Sequence, residues 1–190
     1  MGVVRGFNEE ELKQYFKPYT QLYKNTQGVV EEMKLLLNQI DLSSEEKSEL
    51  IELAYLHKIG FLPKTIKTGF EPLDGALYCK SKNYSLEVVT AVMYCSGAYE
   101  IVVRNFPDLL DIYLEYKQYF TSKIELYIDL ITFCDLHRSS TGLKVTFIEK
   151  KKEIYDLYGE DHNFSNTLKS IESILTEQIK RVEALKITML

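Results

Sequence analysis

At 190 residues, with 45% hydrophobic and 27% charged side chains, the chain has ordinary globular composition and enough length to bury a sizeable core in one domain. Nine glycines and four prolines exclude a low-complexity or loop-dominated chain. The formal net charge of −5 argues against a broad basic surface, and so against a nucleic-acid partner, while leaving room for a local basic patch.

Apolar residues recur at helical spacing nearly everywhere. Asn8 followed by Glu9, Glu10 and Glu11 is a cap with an acid at N3, which predicts a short helix to about Phe16, ended by Pro18. Val29, Val30, Met33, Leu36, Leu37 and Ile40 predict a second helix from about Thr26 to Ile40. Ser43 with Glu46 opens a third, which carries Leu50, Leu53, Ala54 and His57 and ends near Gly60. Residues 61–70 read as a loop, punctuated by Pro63 and Gly69. Pro72 sits in the first turn of a short helix to about Lys80. Ser85 caps a longer helix through about Val103, and Pro107 breaks the chain again. Helices follow at 108–117 and 122–135, then a polar loop from His137 to Lys144. Thr146 with Glu149 opens a helix that Gly159 closes.

The last helix, about Asn166 to Leu185 within a C-terminal segment of residues 165–190, spaces Leu168, Ile171, Leu175, Val182 and Leu185 in three/four steps, with Gln178 interrupting. That stripe packs on the chain's own core or forms the seam of a homodimer. There is no convincing strand, repeat or linker. The expectation is a single all-α domain over 1–190, a compact bundle of about seven to nine helices.

Cys79, Cys95 and Cys134 are odd in number and lack CxxC spacing, so they read as reduced thiols of a cytoplasmic protein. Met-Gly-Val-Val-Arg-Gly-Phe runs directly into Asn-Glu-Glu-Glu, without the apolar region of a secretory signal. Gly6 stands where a myristoylation signal needs Ser or Thr. No apolar run approaches the roughly 20 residues of a membrane span, and no membrane partner is expected. Tyr113, Tyr116, Tyr119 and Tyr127, with Phe120 among them, form core packing or a protein-interaction face, since Tyr suits surfaces buried against a partner.

Three segments carry a more specific signal. Residues 53–78 read Leu-Ala-Tyr-Leu-His-Lys-Ile-Gly-Phe … Lys-Thr-Gly-Phe-Glu-Pro-Leu-Asp-Gly-Ala-Leu-Tyr; residues 92–99 read Val-Met-Tyr-Cys-Ser-Gly-Ala-Tyr; residues 130–135 read Leu-Ile-Thr-Phe-Cys-Asp. Together they resemble the bacterial HD-domain family of metal-dependent phosphohydrolases, whose usual forms are L-L-H-D-I-G-Y … T-G-F-H-P-L-D-G-A, V-A-H-H-S-G-A and L-T-Y-C-D. Lys24-Asn25-Thr26-Gln27-Gly28-Val29 aligns with the family's R-H-[ST]-x-x-V start, and Val145 to His162 resembles its helix followed by Tyr-Gly-x-Asp-His. The resemblance spans residues 22–162 and implies an HD-like helical bundle.

In that family imidazoles and carboxylates from three helices hold one divalent cation, which activates a water for attack on phosphorus. The resemblance places the early ligand at Asn25, the His-Asp pair at His57 and Lys58, and the distant Asp at Asp135. The auxiliary histidines fall on Glu71, Tyr94 and Cys95. Lys58 is the decisive departure, because it puts a positive charge where the family puts a carboxylate. Two like unit charges about 4 Å apart repel by roughly 4 kcal/mol at an effective dielectric of about 20, and a divalent ion doubles that. No bound metal or other cofactor is therefore expected. The Lys58 ammonium pairs instead with Asp135, with Glu71 near.

His57 reads as a hydrogen-bonded residual histidine and Asp135 as a structural carboxylate, either the partner of Lys58 or a helix-end group, and the two are the residual catalytic candidates. Asp74 braces the pocket loop or touches a ligand. Cys95 has no second Cys or His at zinc-like spacing. Lys58, Lys64, Lys67 and Arg104 are candidates for a small phosphate-binding pocket, since Lys serves as a point-charge anion binder. The Glu149-Lys150-Lys151-Lys152-Glu153 run reads as a wet helix face, and His137 and His162 as exposed loop residues.

The functional expectation is a degenerate HD-domain protein without metal-dependent phosphohydrolase activity. It would be a regulatory module for an unidentified protein partner or a phosphate-bearing small molecule. The alternative is an active phosphohydrolase on a nucleotide or other phosphoester, with a divalent metal in a rearranged site of His57, Asp135, Glu71 and Asp74.

Overall fold

The helix starts are set by local hydrogen bonds. Asn8, Ser43 and Thr146 each close a capping box with the glutamate three residues on, at Glu11, Glu46 and Glu149. The computed structural model describes residues 6–18 and 20–187. Met1–Arg5, where the leader and acylation readings fall, and the end of the C-terminal segment at residues 188–190 lie outside the described residues.

The chain runs through α1 (Glu9–Tyr15), α2 (Gln21–Leu37), α3 (Ser44–Leu56), α4 (Glu71–Ser81), α5 (Leu86–Tyr94), α6 (Ala98–Asn105), α7 (Leu110–Lys117), α8 (Ser122–Leu136), α9 (Phe147–Tyr158) and α10 (Asn163–Ile187). Short 3-10 turns lie at Ile59–Phe61, Cys95–Gly97 and Pro107–Leu109. Among the described residues there is no strand, only an isolated antiparallel bridge between Arg138 and Lys144. The all-α bundle is as expected. With α5 and α6 taken as halves of one kinked rod, the described residues form nine helical rods.

Two boundaries depart from the sequence reading. α2 begins at Gln21, five residues early, because the Thr20 hydroxyl accepts from the Tyr23 amide and caps it there. The helix expected to run from Ser85 to Val103 breaks at Cys95–Gly97, where Ser96 (φ 54°) and Gly97 (φ 77°) are both left-handed.

α8 lies at the centre. It is apolar nearly all round, with Ile124, Tyr127, Ile128, Leu130, Ile131, Phe133, Cys134 and Leu136 buried, and α2, α3, α5 and α10 pack around it. The stretch Leu86–Asn105 is, at 20 residues, long and apolar enough to cross a membrane by length and composition, which corrects the reading that no such run exists. In the fold its first half is buried against α4 and α8, and the double left-handed turn interrupts it.

Two further alternatives are decided by packing. Leu168, Ile171, Leu175 and Val182 are buried in the chain's own core, and Gln178 donates to Asp129 Oδ1 at 3.0 Å. Of the two readings of this stripe, packing on the chain's own core is the one the structure shows for these residues. Tyr113, Tyr116 and Tyr127 are also buried, leaving Tyr119 alone of the four exposed, so they form core and not an interaction face. The Tyr113 hydroxyl donates to Met93 O at 2.9 Å.

Close backbone approach fixes the region around the candidate site. A Cβ on Gly60 would lie 2.0 Å from Glu71 O, so only glycine lets the turn after α3 touch the start of α4. A Cβ on Gly28 would lie 2.5 Å from Gly142 O, which pins the loop after α8 onto α2.

Candidate functional site

His57 is the C-cap of α3 and Lys58 follows it into the 3-10 turn, so both point from the end of α3 toward the last turn of α8. His57 is fully buried. Its Nδ1 lies 2.7 Å from Ala54 O, and a carbonyl can only accept, so Nδ1 carries the proton. Nε2 then bears a lone pair. It sits 3.7 Å from Asp135 Oδ1 and has no hydrogen-bond partner. Burial pushes the His57 pKa down against the pull of Asp135, which keeps the ring neutral.

Lys58 Nζ lies 3.4 Å from Asp135 Oδ2, with 19% of the lysine side chain and 8% of the aspartate side chain exposed. The same carboxylate oxygen accepts from the Ser96 hydroxyl at 2.7 Å. Burial alone would raise the Asp135 pKa, but the Lys58 ammonium outweighs it and holds the carboxyl well below its usual range. Burial likewise opposes the charge on Lys58, and Asp135 and Glu71 overcome it, so the amine stays protonated.

Glu71 begins α4 directly beneath the Gly60 contact. Burial pushes its pKa up to about 7, against the pull of Lys58 and reinforced by Asp135 and Asp74. Its Oε1 is buried and takes no hydrogen bond. Cys95 completes the cluster. Burial raises its thiol to about 12 despite Lys58, and Sγ donates to Val92 O at 3.3 Å, so it is a thiol and not a nucleophilic thiolate at neutral pH.

The cluster therefore holds one cation, one firm carboxylate, one carboxyl titrating near neutrality and one neutral imidazole. Its net charge runs between 0 and −1 as Glu71 titrates, so the Lys58 cation is balanced within the cluster. Among the described residues no group of three or more His, Cys, Asp or Glu side chains is arranged to hold a metal ion.

The other sequence-selected residues lie elsewhere. Asn25 donates from Nδ2 to Ser139 O at 2.9 Å and ties α2 to the loop after α8. Tyr94 sends its hydroxyl to Tyr113 O and packs its ring against Tyr99, Tyr113 and Phe120 in an aromatic layer. Asp74 accepts from Thr68 N at 2.8 Å, Thr68 Oγ1 at 2.9 Å and Gly69 N at 3.1 Å, which makes it the brace of the loop and spends its carboxylate there. The Lys64 ammonium lies 3.6 Å over the Tyr15 ring of α1. Lys67 and Arg104 are exposed.

His137 is not an exposed loop residue. It stacks on Phe133 at 4.1 Å and its Nδ1 pairs with Phe133 O at 2.7 Å. His162 is exposed, as expected. The lysine run on α9 is only partly wet: Lys150 donates to Arg138 O at 2.9 Å, and Lys151 pairs with Glu172.

Ser96 and Thr132 are the site residues that sequence reasoning missed. Thr132 Oγ1 accepts from the Ser96 amide at 2.9 Å and holds the left-handed turn that delivers the Ser96 hydroxyl to Asp135. The available signal was the Ser-Gly pair inside an otherwise helical pattern.

Two depressions mark the surface. An open groove of about 530 Å3 is lined by Gln21, Ser140, Glu149, Lys152, Glu153 and Asp156 with Leu157. A smaller notch of about 140 Å3 lies where α6, α7, α8 and α10 meet. Neither is lined by Lys58, Lys64, Lys67 or Arg104, so the expected phosphate pocket does not coincide with either. No protein-family model, curated protein or solved structure matches the chain.

Proposed function

We propose that this chain is a non-hydrolytic, cytoplasmic relative of the HD-type phosphohydrolases it resembles, in which the Lys58 ammonium stands in for the catalytic cation and the scaffold serves as a regulatory binding module. The observation that carries this reading is the Lys58–Asp135 pair at 3.4 Å, with neutral His57 on the other carboxylate oxygen. A protonated amine satisfies the aspartate's charge and opposes a divalent ion at the same place. The reading assigns the cluster a structural role and places ligand or protein recognition elsewhere on the fold.

The test is elemental analysis of purified protein after incubation with manganese, iron, nickel and zinc salts and desalting, with Asp135→Ala as control. The expected result is no stoichiometric metal in either protein and no turnover across a nucleotide and phosphoester panel. Stoichiometric metal that disappears in Asp135→Ala would overturn the reading in favour of an active phosphohydrolase.

A further inference from the structure

We propose that the notch between α6, α7, α8 and α10 is a binding site for a small apolar amino acid, independent of the Lys58 cluster. Its size limits the ligand first. The notch holds about 140 Å3, and a dry apolar cavity of about 150 Å3 accommodates a benzene-sized group. A leucine or valine side chain fits that space and an indole exceeds it.

The wall chemistry limits it further. Tyr94 and Tyr99 stack at 5.9 Å, Phe120 meets Tyr94 edge-on at 4.8 Å, and Ile128 and Ile174 close the apolar wall. Ile174 is 43% exposed at this rim, an apolar side chain that a ligand would cover. Gly97 forms part of the floor.

Two opposite charges border the same space, Glu100 and Lys117. The Glu100 carboxylate has no side-chain hydrogen bond and no ion pair among the described residues, although its charge reaches Tyr94. The Lys117 ammonium rests 4.5 Å from the centre of the Tyr99 ring and has no carboxylate partner among the described residues. An unpaired carboxylate and an unpaired ammonium beside one apolar notch complement a zwitterion. Lys117 would take the ligand's carboxylate, Glu100 its ammonium with help from the Tyr99 face, and the aromatic wall its side chain.

The test is calorimetric titration of the full chain with L-leucine, with 4-methylpentanoate (leucine without its amine) and with 3-methylbutylamine (leucine without its carboxyl). The same titrations follow on Glu100→Gln, Lys117→Met and Ile174→Trp, all at half-buried or exposed positions, with thermal unfolding to confirm that each folds. The expected result is saturable leucine binding, weakened about tenfold or more by loss of either ligand charge or either protein charge, and abolished by the tryptophan that fills the notch. Absence of saturable binding at millimolar leucine would overturn the proposal. So would equal binding of the two analogues, or leucine binding indifferent to all three variants. Metal and amino-acid binding are read separately, so either proposal can fail alone.

Discussion

Lys58→Met is the sharpest probe of the charge pair, because it leaves Asp135 buried without its cation. Removing one partner of a fully buried ion pair costs about 3–5 kcal/mol. Here 19% of the Lys58 side chain is exposed, and the Ser96 hydroxyl still serves the carboxylate at 2.7 Å. The loss is therefore expected at the lower end, about 3 kcal/mol, or a fall in Tm of roughly 6–12 °C for a chain of this size.

The loss is also pH-dependent, and its direction follows from which protonation state each fold prefers. In the wild type Asp135 is held below its unfolded value, so its contribution is present above the unfolded pKa of about 4 and is lost as pH falls through the folded one. In Lys58→Met the uncompensated burial raises the same carboxyl above its unfolded value. The variant's deficit is then largest near neutral pH and shrinks as the medium is acidified toward pH 4 and the carboxyl protonates. Thermal and urea unfolding followed by circular dichroism at several pH values measures both effects. A variant as stable as wild type at neutral pH, or a deficit unchanged by acidification, would refute the reasoning.

Four other substitutions test separate links. Glu71 is raised by burial to about 7, so its ionisation opposes folding and stability should fall by up to ~3 kcal/mol as pH rises from about 4.5 through 7; Glu71→Gln should remove that slope in urea titrations, and an unchanged slope would assign it to another group. Gly60→Ala places a methyl 2.0 Å from Glu71 O, a backbone atom that cannot rotate aside, and should cost about 3 kcal/mol in denaturant unfolding, whereas a loss below about 0.5 kcal/mol would mean the two segments part easily. Tyr113→Phe deletes the bond to Met93 O and should cost about 1 kcal/mol, while Tyr119→Phe should be near neutral, and equal effects would contradict the assignment of Tyr113 to core and Tyr119 to surface.

Most of the fold was legible because helix starts and apolar stripes depend on neighbours a few residues apart. The Asn8, Ser43 and Thr146 boxes stand where the residue types placed them. The sequence left matters open, or misled, where a local pattern permits two outcomes. Nothing within Leu86–Val103 requires a break; the turn at Ser96 exists because Thr132, 36 residues on, takes its amide and Asp135 takes its hydroxyl. The α10 stripe suits a dimer seam as well as a core, and only the neighbouring core decides.

The candidate site divides in the same way. The pairing of Lys58 with Asp135 was an expectation drawn from a resemblance, and the structure sets the two groups 3.4 Å apart. The tyrosines and the basic set were not resolvable, because residue type says nothing about which side of a wall a ring occupies or what a lysine rests on. Tyr94 turns to the aromatic layer while Cys95, its neighbour, joins the Lys58 cluster. The sequence by itself determined the helices and their caps, consequences of covalent order and short-range bonding. The tertiary structure decided the long-range contacts: Asn25 with Ser139 across 114 residues, Arg138 with Glu32 across 106, and Lys58 with Asp135 across 77. Such pairs form only after distant helices have packed, so their partners are chosen by the geometry of the whole bundle.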